Sequence, residues 1–173
     1  MARMGRGPRA PRESGSGRED SARRAEAYAL DLLALRPRTV RELSVRLRSK
    51  GYAEEIIADL VSRAERAGYL DDRQFAAAWV EERCRSYPCG PVRLGAELRQ
   101  KGVDDQIVSA VLVENLPPER EVALAVQVAS KRAPSEAAAK KKLWDLLRRR
   151  GFGERACEEA LRAVCGPVDE LEA

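Results

Sequence analysis

The apolar positions of this chain repeat one arrangement three times. Leu43-x3-Leu47-x2-Lys50-Gly51-Tyr52 returns as Leu94-x3-Leu98-x2-Lys101-Gly102-Val103 and again as Leu143-x3-Leu147-x2-Arg150-Gly151-Phe152, at offsets of 51 and 49 residues. The same order of Leu, base, Gly and apolar residue at near-constant spacing marks three copies of one supersecondary unit. Two Leu at i and i+4 lie on one helix face, and the base-Gly pair ends the helix because Gly takes the left-handed cap without a Cβ penalty. The apolar residue after each Gly is predicted to fold back onto the last turn as a core anchor.

A further amphipathic helix follows each Gly. Ile56, Ile57, Leu60 and Val61 in the first copy match Ile107, Val108, Val111 and Leu112 in the second, and Ala156, Cys157, Ala160 and Leu161 in the third. The third face is smaller, so the last unit is expected to be the least tightly packed. Another helix precedes each Leu-x3-Leu segment, over about 21–35, 72–86 and 119–132. Thr39-x-x-Glu42 and Asp71-x-x-Gln74 are capping-box patterns, and Pro117-Pro118 can open a helix but not continue one. The fold class expected is all-α: a tandem repeat of three three-helix units forming an elongated, curved helical solenoid with one continuous core. The units span 21–70, 71–116 and 117–166, between a disordered basic tail at 1–20 and an acidic C-terminal tail at 167–173.

Composition supports helices over strands: hydrophobic residues make up 44% but aromatic ones only 5%, and Ala, Leu, Glu and Arg dominate. Net charge is +4, and the first 24 residues, with seven Arg against three acids, supply all of it. The remainder is neutral, whereas a general nucleic-acid sponge is more basic. There is no apolar run long enough for a membrane span and no apolar signal segment near Met1, so a cytoplasmic, monomeric protein without membrane contact is expected. With no His, no zinc-type Cys pairs among Cys84, Cys89, Cys157 and Cys165, and no Gly-rich phosphate loop, neither a metal, a cofactor nor a catalytic residue is expected. Cys157 and Cys165 read as small apolar side chains.

Asp71 and Asp72 read as helix-start residues. The bases are the stronger functional candidates. Arg48, Arg99 and Arg148 are equivalent in the three copies, as are Lys50, Lys101 and Arg150; Arg41 and Lys141 each stand seven residues before an equivalent Arg, on the same helix face. Together with Arg93 and Arg149 they form a candidate partner-binding edge. The alternative is that bases in a last helical turn only offset the negative helix end. Tyr28, Phe75 and Trp79 read as core, and Trp144 faces either a neighbouring helix or a partner.

The chain resembles the RecX family over roughly 22–164. Most specific are Gly68-Tyr69-Leu70-Asp71-Asp72-x-x-Phe75-Ala76, Arg83, and Gly90-Pro91-x-Arg93-Leu94-x-x-Glu97-Leu98-x-x-Lys101-Gly102-Val103. Leu33-x-x-Arg36-Pro37-Arg38-Thr39-x-x-Glu42-Leu43 looks like the family's first-repeat signature, with Thr39 where Ser is usual, and Leu147-x-x-Arg150-Gly151-Phe152 looks like its last. The resemblance implies a non-enzymatic negative regulator, acting in homologous recombination, DNA repair and the SOS response. Such a protein lies in the groove of the RecA filament on single-stranded DNA and lowers its ATP hydrolysis, strand exchange and coprotease activity. The alternative function is direct binding of single- or double-stranded DNA through the basic edge and the N-terminal tail.

Overall fold

A computed structural model describes residues 15–132 and 137–166, and the described residues form nine α-helices with no strand. In the first unit these are α1 (Gly15–Leu35), α2 (Val40–Ser49) and α3 (Glu54–Arg66). The second has α4 (Asp72–Ser86), α5 (Pro91–Gln100) and α6 (Asp105–Asn115), and the third α7 (Pro118–Ser130), α8 (Ala137–Arg149) and α9 (Glu154–Cys165). Helix α1 starts at Gly15, six residues ahead of the expected Ser21. The expected tails lie, for 1–14 and 167–173, outside the described residues.

Local chemistry accounts for the boundaries. The Thr39 hydroxyl accepts from the Glu42 N–H at 3.0 Å and Asp71 Oδ1 from the Gln74 N–H at 2.9 Å, each satisfying a first-turn donor that has no partner within its helix. The reciprocal half of the Thr39 capping box is not made, because Glu42 turns to Arg36 and Lys101 instead. Gly51, Gly102 and Gly151 have φ of 85°, 86° and 84°. In all three copies the Gly N–H donates three residues back, to Arg48, Arg99 or Arg148. The next N–H donates five residues back, to Leu47, Leu98 or Leu147. This is the Schellman arrangement, and it folds Tyr52, Val103 and Phe152 toward the Leu pair.

The core is three clusters rather than one. Leu43, Leu47, Ile57 and Leu60 centre the first; Val80, Leu94, Leu98, Val108 and Val111 the second; Leu143, Leu147, Phe152 and Cys157 the third. Among the described residues every substantial helix-on-helix contact falls inside a unit, and Leu124 alone borders both the second and the third cluster. Each unit has three apolar helix faces turned toward one another, so its hydrophobic demand is met internally. The joints between units are therefore made by other means.

The expectation that the third unit is loosest is reversed. Helices α7 and α9 are the most closely packed pair, with Ala125, Ala129, Ala156 and Ala160 all nearly inaccessible between them. Small side chains bury less area each, but they let two helix backbones approach, and the gain in close packing offsets the loss. Helices α1 and α3 leave open space between them, with cavities of about 420 and 160 Å³ among Ile56, Leu60, Leu30 and Tyr69.

Candidate functional site

Consecutive units meet where the base-Gly turn of one reaches the start of the second helix in the unit before it. At the first seam the Thr39 hydroxyl donates to the Lys101 carbonyl at 2.7 Å; at the second the Gly90 N–H donates to the Arg150 carbonyl at 3.0 Å. Thr39 and Gly90 occupy the same repeat position, so one acceptor is served by a side chain in one seam and by backbone in the other. The Val92 N–H adds a bond to the Gly151 carbonyl at 3.2 Å. Asp72 closes the first seam by accepting from the Val40 N–H at 2.9 Å. Burial pushes its carboxyl pKa upward, partly opposed by that hydrogen bond. So Asp71 is the cap expected, while Asp72 serves the neighbouring unit's helix end.

The repeated bases divide sharply. Arg48 forms a two-pronged pair with Glu54, Arg99 pairs with Asp105, and Arg148 donates to the Phe152 carbonyl at 3.1 Å. All three reach across their own Gly turn and tie the second helix of a unit to the start of the third. Lys101 is half-buried between Glu42, at 3.3 Å, and the Trp79 ring, 4.1 Å from its centroid. Arg150 donates to the Pro88 carbonyl at 3.2 Å and lies 4.4 Å from the centre of the Tyr87 ring. Arg93 pairs with Glu97 and flanks the same ring. Lys50 of the first unit rests over Tyr28 of the same unit, at 5.4 Å from the ring centre. Arg41, Lys141 and Arg149 are exposed without an ion pair among the described residues. The expected single edge is thus resolved into turn braces, seam ties and a few unengaged cations.

Two carboxylates organise the charge. Glu97 accepts from Arg83 at 2.8 and 2.7 Å, from Arg93 at 3.1 Å and from Trp79 Nε1 at 3.2 Å. The Arg83 hydrogen bonds, outweighing burial, hold its carboxyl below the usual carboxylate range. At Glu42 burial pushes the pKa up, but bonds from Arg36 and Lys101 together overcome it and the net direction is downward. Phe75 is core as expected, and Trp79 is half-buried, its ring near-parallel to that of Phe75. Trp144 packs on its own unit's cluster. Cys89 and Cys157 are buried, and that burial raises both thiols to about 11, which leaves them protonated and inert as nucleophiles.

Sequence reasoning missed the surface beside the seams. Arg36, Arg38, Arg41 and Arg46 surround a cavity of about 380 Å³ that also touches Lys101. Tyr87, Lys131, Arg132 and Arg150 line another of about 200 Å³. The Arg36-Pro37-Arg38 run and the Lys131-Arg132 pair that follows α7 were the available signals, and both lie outside the repeat motif that drew attention. Among the described residues no cluster of His, Cys, Asp or Glu could hold a metal ion, and no helix is long and apolar enough to cross a membrane.

Two domain families match this architecture unit for unit: the RecX first three-helix domain over residues 25–63 and the RecX second three-helix domain over 71–112. Regulatory protein RecX of Pelodictyon phaeoclathratiforme is 37% identical over 154 residues, covering 86% of this chain and 94% of its own. The chain belongs to the RecX family. Regulatory protein RecX of Amycolatopsis mediterranei is 36% identical, covering 78% of this chain and 79% of its own. The crystal structure of RecX from Lactobacillus salivarius superposes with a TM-score of 0.74 at 23% identity, over 85% of this chain and 98% of that one, and so shares the RecX fold. This RecX-family chain is accordingly a regulator built from three-helix domains. Its third unit lies beyond both matched domains, although the match to the Pelodictyon phaeoclathratiforme protein, over 86% of this chain, extends into it.

Proposed function

We propose that this chain is a negative regulator of RecA recombinase that binds the RecA filament on single-stranded DNA. It lowers the filament's ATP hydrolysis, strand exchange and coprotease activity by occupying it, not by catalysis. The observation that carries the reading is the near full-length match to curated regulatory RecX proteins. The architecture supports it: seams made of a few hydrogen bonds, with the Glu42–Lys101 ion pair added at the first, join units whose cores are complete in themselves, an organisation suited to lying along a repeating partner. On this reading the protein works as a cytoplasmic monomer, and Arg41, Lys50, Lys141 and Arg149 are the expected edge residues still available to the filament.

The deciding experiment is ATP hydrolysis by the host's RecA on single-stranded DNA, with the purified chain added below stoichiometry. The expected result is a progressive fall in rate. An unchanged rate at equimolar or higher amounts, with the chain folded, would sink the proposal.

A further inference from the structure

Helices α1 and α3 run side by side in the same direction, with the starts of both at the larger of their two cavities and their later turns at the smaller. Leu60 and Arg63 line both cavities, so the two form one trough along the pair. It follows α1 from Arg18 to Leu33, about 22 Å at about 1.5 Å per residue. In the third unit the equivalent pair, α7 and α9, closes on alanines. In the first the floor of the trough is Ala22, Ala29, Ile56, Leu60 and Ala64, and the rim at its later end carries Leu30 and Tyr69, 48% and 64% exposed. Large apolar side chains left in solvent at the edge of a concave apolar surface mark a place of contact.

The charge around the trough is one-sided. The carboxylates of Glu19, Glu26, Glu55 and Asp59 stand against only Arg18 and Arg63. Arg63 is engaged by Glu26 and, at 3.8 Å, by Asp59, while Glu19 and Glu55 make no ion pair among the described residues. The positive end of α3 accounts for an acid in its first turn, such as Glu55, but Glu19 and Asp59 lie past the first turn of their helices. An apolar floor beside an acidic rim is complementary to a group that is apolar on one face and basic next to it.

We propose that this trough docks a basic amphipathic helix of a partner protein, about four turns long, with its apolar stripe on Leu30, Leu60 and Tyr69 and its basic side chains beside Glu19 and Glu55. An extended segment would find no strand edge to pair with among the described residues, whereas the side-chain ridges of a helix fit the groove between two others. A second copy docking by the same face would set acid against acid, and an anionic lipid surface would meet the same repulsion. The contact lies on a different surface from the seams and is measured without RecA, so its failure leaves the regulatory proposal standing.

The probe is a fluorescein-labelled peptide of about 18 residues, with leucines at helical spacing and lysines elsewhere, titrated with the full chain by fluorescence anisotropy at about 0.05 M and about 0.5 M salt. Two reference peptides keep its length: one carries glutamates for the lysines, and the other has the leucines shuffled off a single face. Leu30→Ser with Tyr69→Ser strips the apolar rim, and Glu19→Gln with Glu55→Gln removes the unpaired acids. Val92→Ser with Val113→Ser removes two exposed apolar side chains from the second unit, outside the trough. The rim pair should weaken binding at least about tenfold. The acid pair should weaken it about fivefold at the lower salt and less than about twofold at the higher, where the carboxylates are screened. The second-unit pair should change affinity less than about twofold, and both reference peptides should bind at least about tenfold more weakly than the probe. Melting curves check folding; Glu19 and Glu55 are exposed and hold no ion pair, so the acid pair decides the matter if the rim pair proves unstable. No binding by the parent, equal binding of the shuffled peptide, equal loss in the second-unit pair, or unchanged affinity in folded trough variants would overturn the proposal. So would sedimentation showing self-association of the parent, or its binding to phosphatidylglycerol vesicles, that the rim pair abolishes, since either would assign the trough to another occupant.

Discussion

At Gly51, Gly102 and Gly151 the backbone is left-handed to nearly the same degree, yet the three glycines do not have the same surroundings. A Cβ on Gly51 would meet nothing, one on Gly102 would overlap the Arg41 stem, and one on Gly151 would overlap the Arg93 backbone. Gly90 has ordinary φ, but its Cβ would strike the Gly151 carbonyl. These four positions separate strain from crowding. Gly51→Ala should cost about 1 kcal/mol, the left-handed penalty alone. Gly102→Ala and Gly151→Ala should cost about 2 to 4 kcal/mol, because a seam must also open. Urea melts of the set check this, and equal losses at Gly51 and Gly102 would show that the seam tolerates the methyl group. Glu97 offers a second test. Its folded pKa lies below the unfolded value, so its contribution is present above the unfolded carboxylate range and is lost as pH falls through the folded value. Glu97→Gln should destabilise by about 1.5 to 3 kcal/mol at pH 7 and flatten the decline in stability below about pH 4. A variant whose acid limb matches the parent's would place the acid sensitivity elsewhere.

Between elements, the contrast of α7 against α9 with α1 against α3 shows that side-chain size does not predict packing by itself. Alanines at 125, 129, 156 and 160 permit close approach, and that same closeness leaves no room for enlargement. Ala160→Leu should therefore cost about 1 to 3 kcal/mol or more through overpacking. Ala22→Leu, beside the larger α1–α3 cavity, should cost less than about 0.5 kcal/mol or stabilise. Thermal melts of the two variants give the comparison, and similar losses at both positions would contradict the packing difference. The braces across the Gly turns also belong here. Arg48 with Glu54 and Arg99 with Asp105 are exposed pairs, screened by solvent and of little weight for stability. Reversing Arg99 together with Lys101 would disturb a brace and a seam at once, so such a variant reports on folding as much as on partner binding.

For the molecule as a whole, three self-contained cores joined by polar seams imply unequal cooperativity. Glu42 ties Arg36 and Lys101 across the first seam, and its carboxyl pKa is held below the ordinary range. Its contribution therefore persists at neutral pH and is lost as pH drops through the folded value. Native-state hydrogen exchange should show one sub-global opening per unit, with protection at the first seam falling below about pH 4 before the core amides of Leu94 and Leu98 follow. A single opening with uniform protection at every pH would mean that the seams couple the units fully.

The repeat of Leu pairs, bases and glycines made nine helices in three units legible from residue types alone, because caps and apolar periodicity act within a dozen residues. Those same residues carried the resemblance to RecX. What the base of each repeat does was not legible: Arg99 finds Asp105 six residues on, Lys101 finds Glu42 from 59 residues before, and Arg150 finds Pro88 from 62 before. Nor could spacing tell that Thr39 and Gly90 serve equivalent acceptors, the Lys101 and Arg150 carbonyls, or that Arg41 and Arg46 would share a cavity with Lys101. Local pattern determines which face of each helix is buried, but the partner of a charged group depends on which units meet and at what turn, and only the tertiary structure brings those chain-distant atoms together.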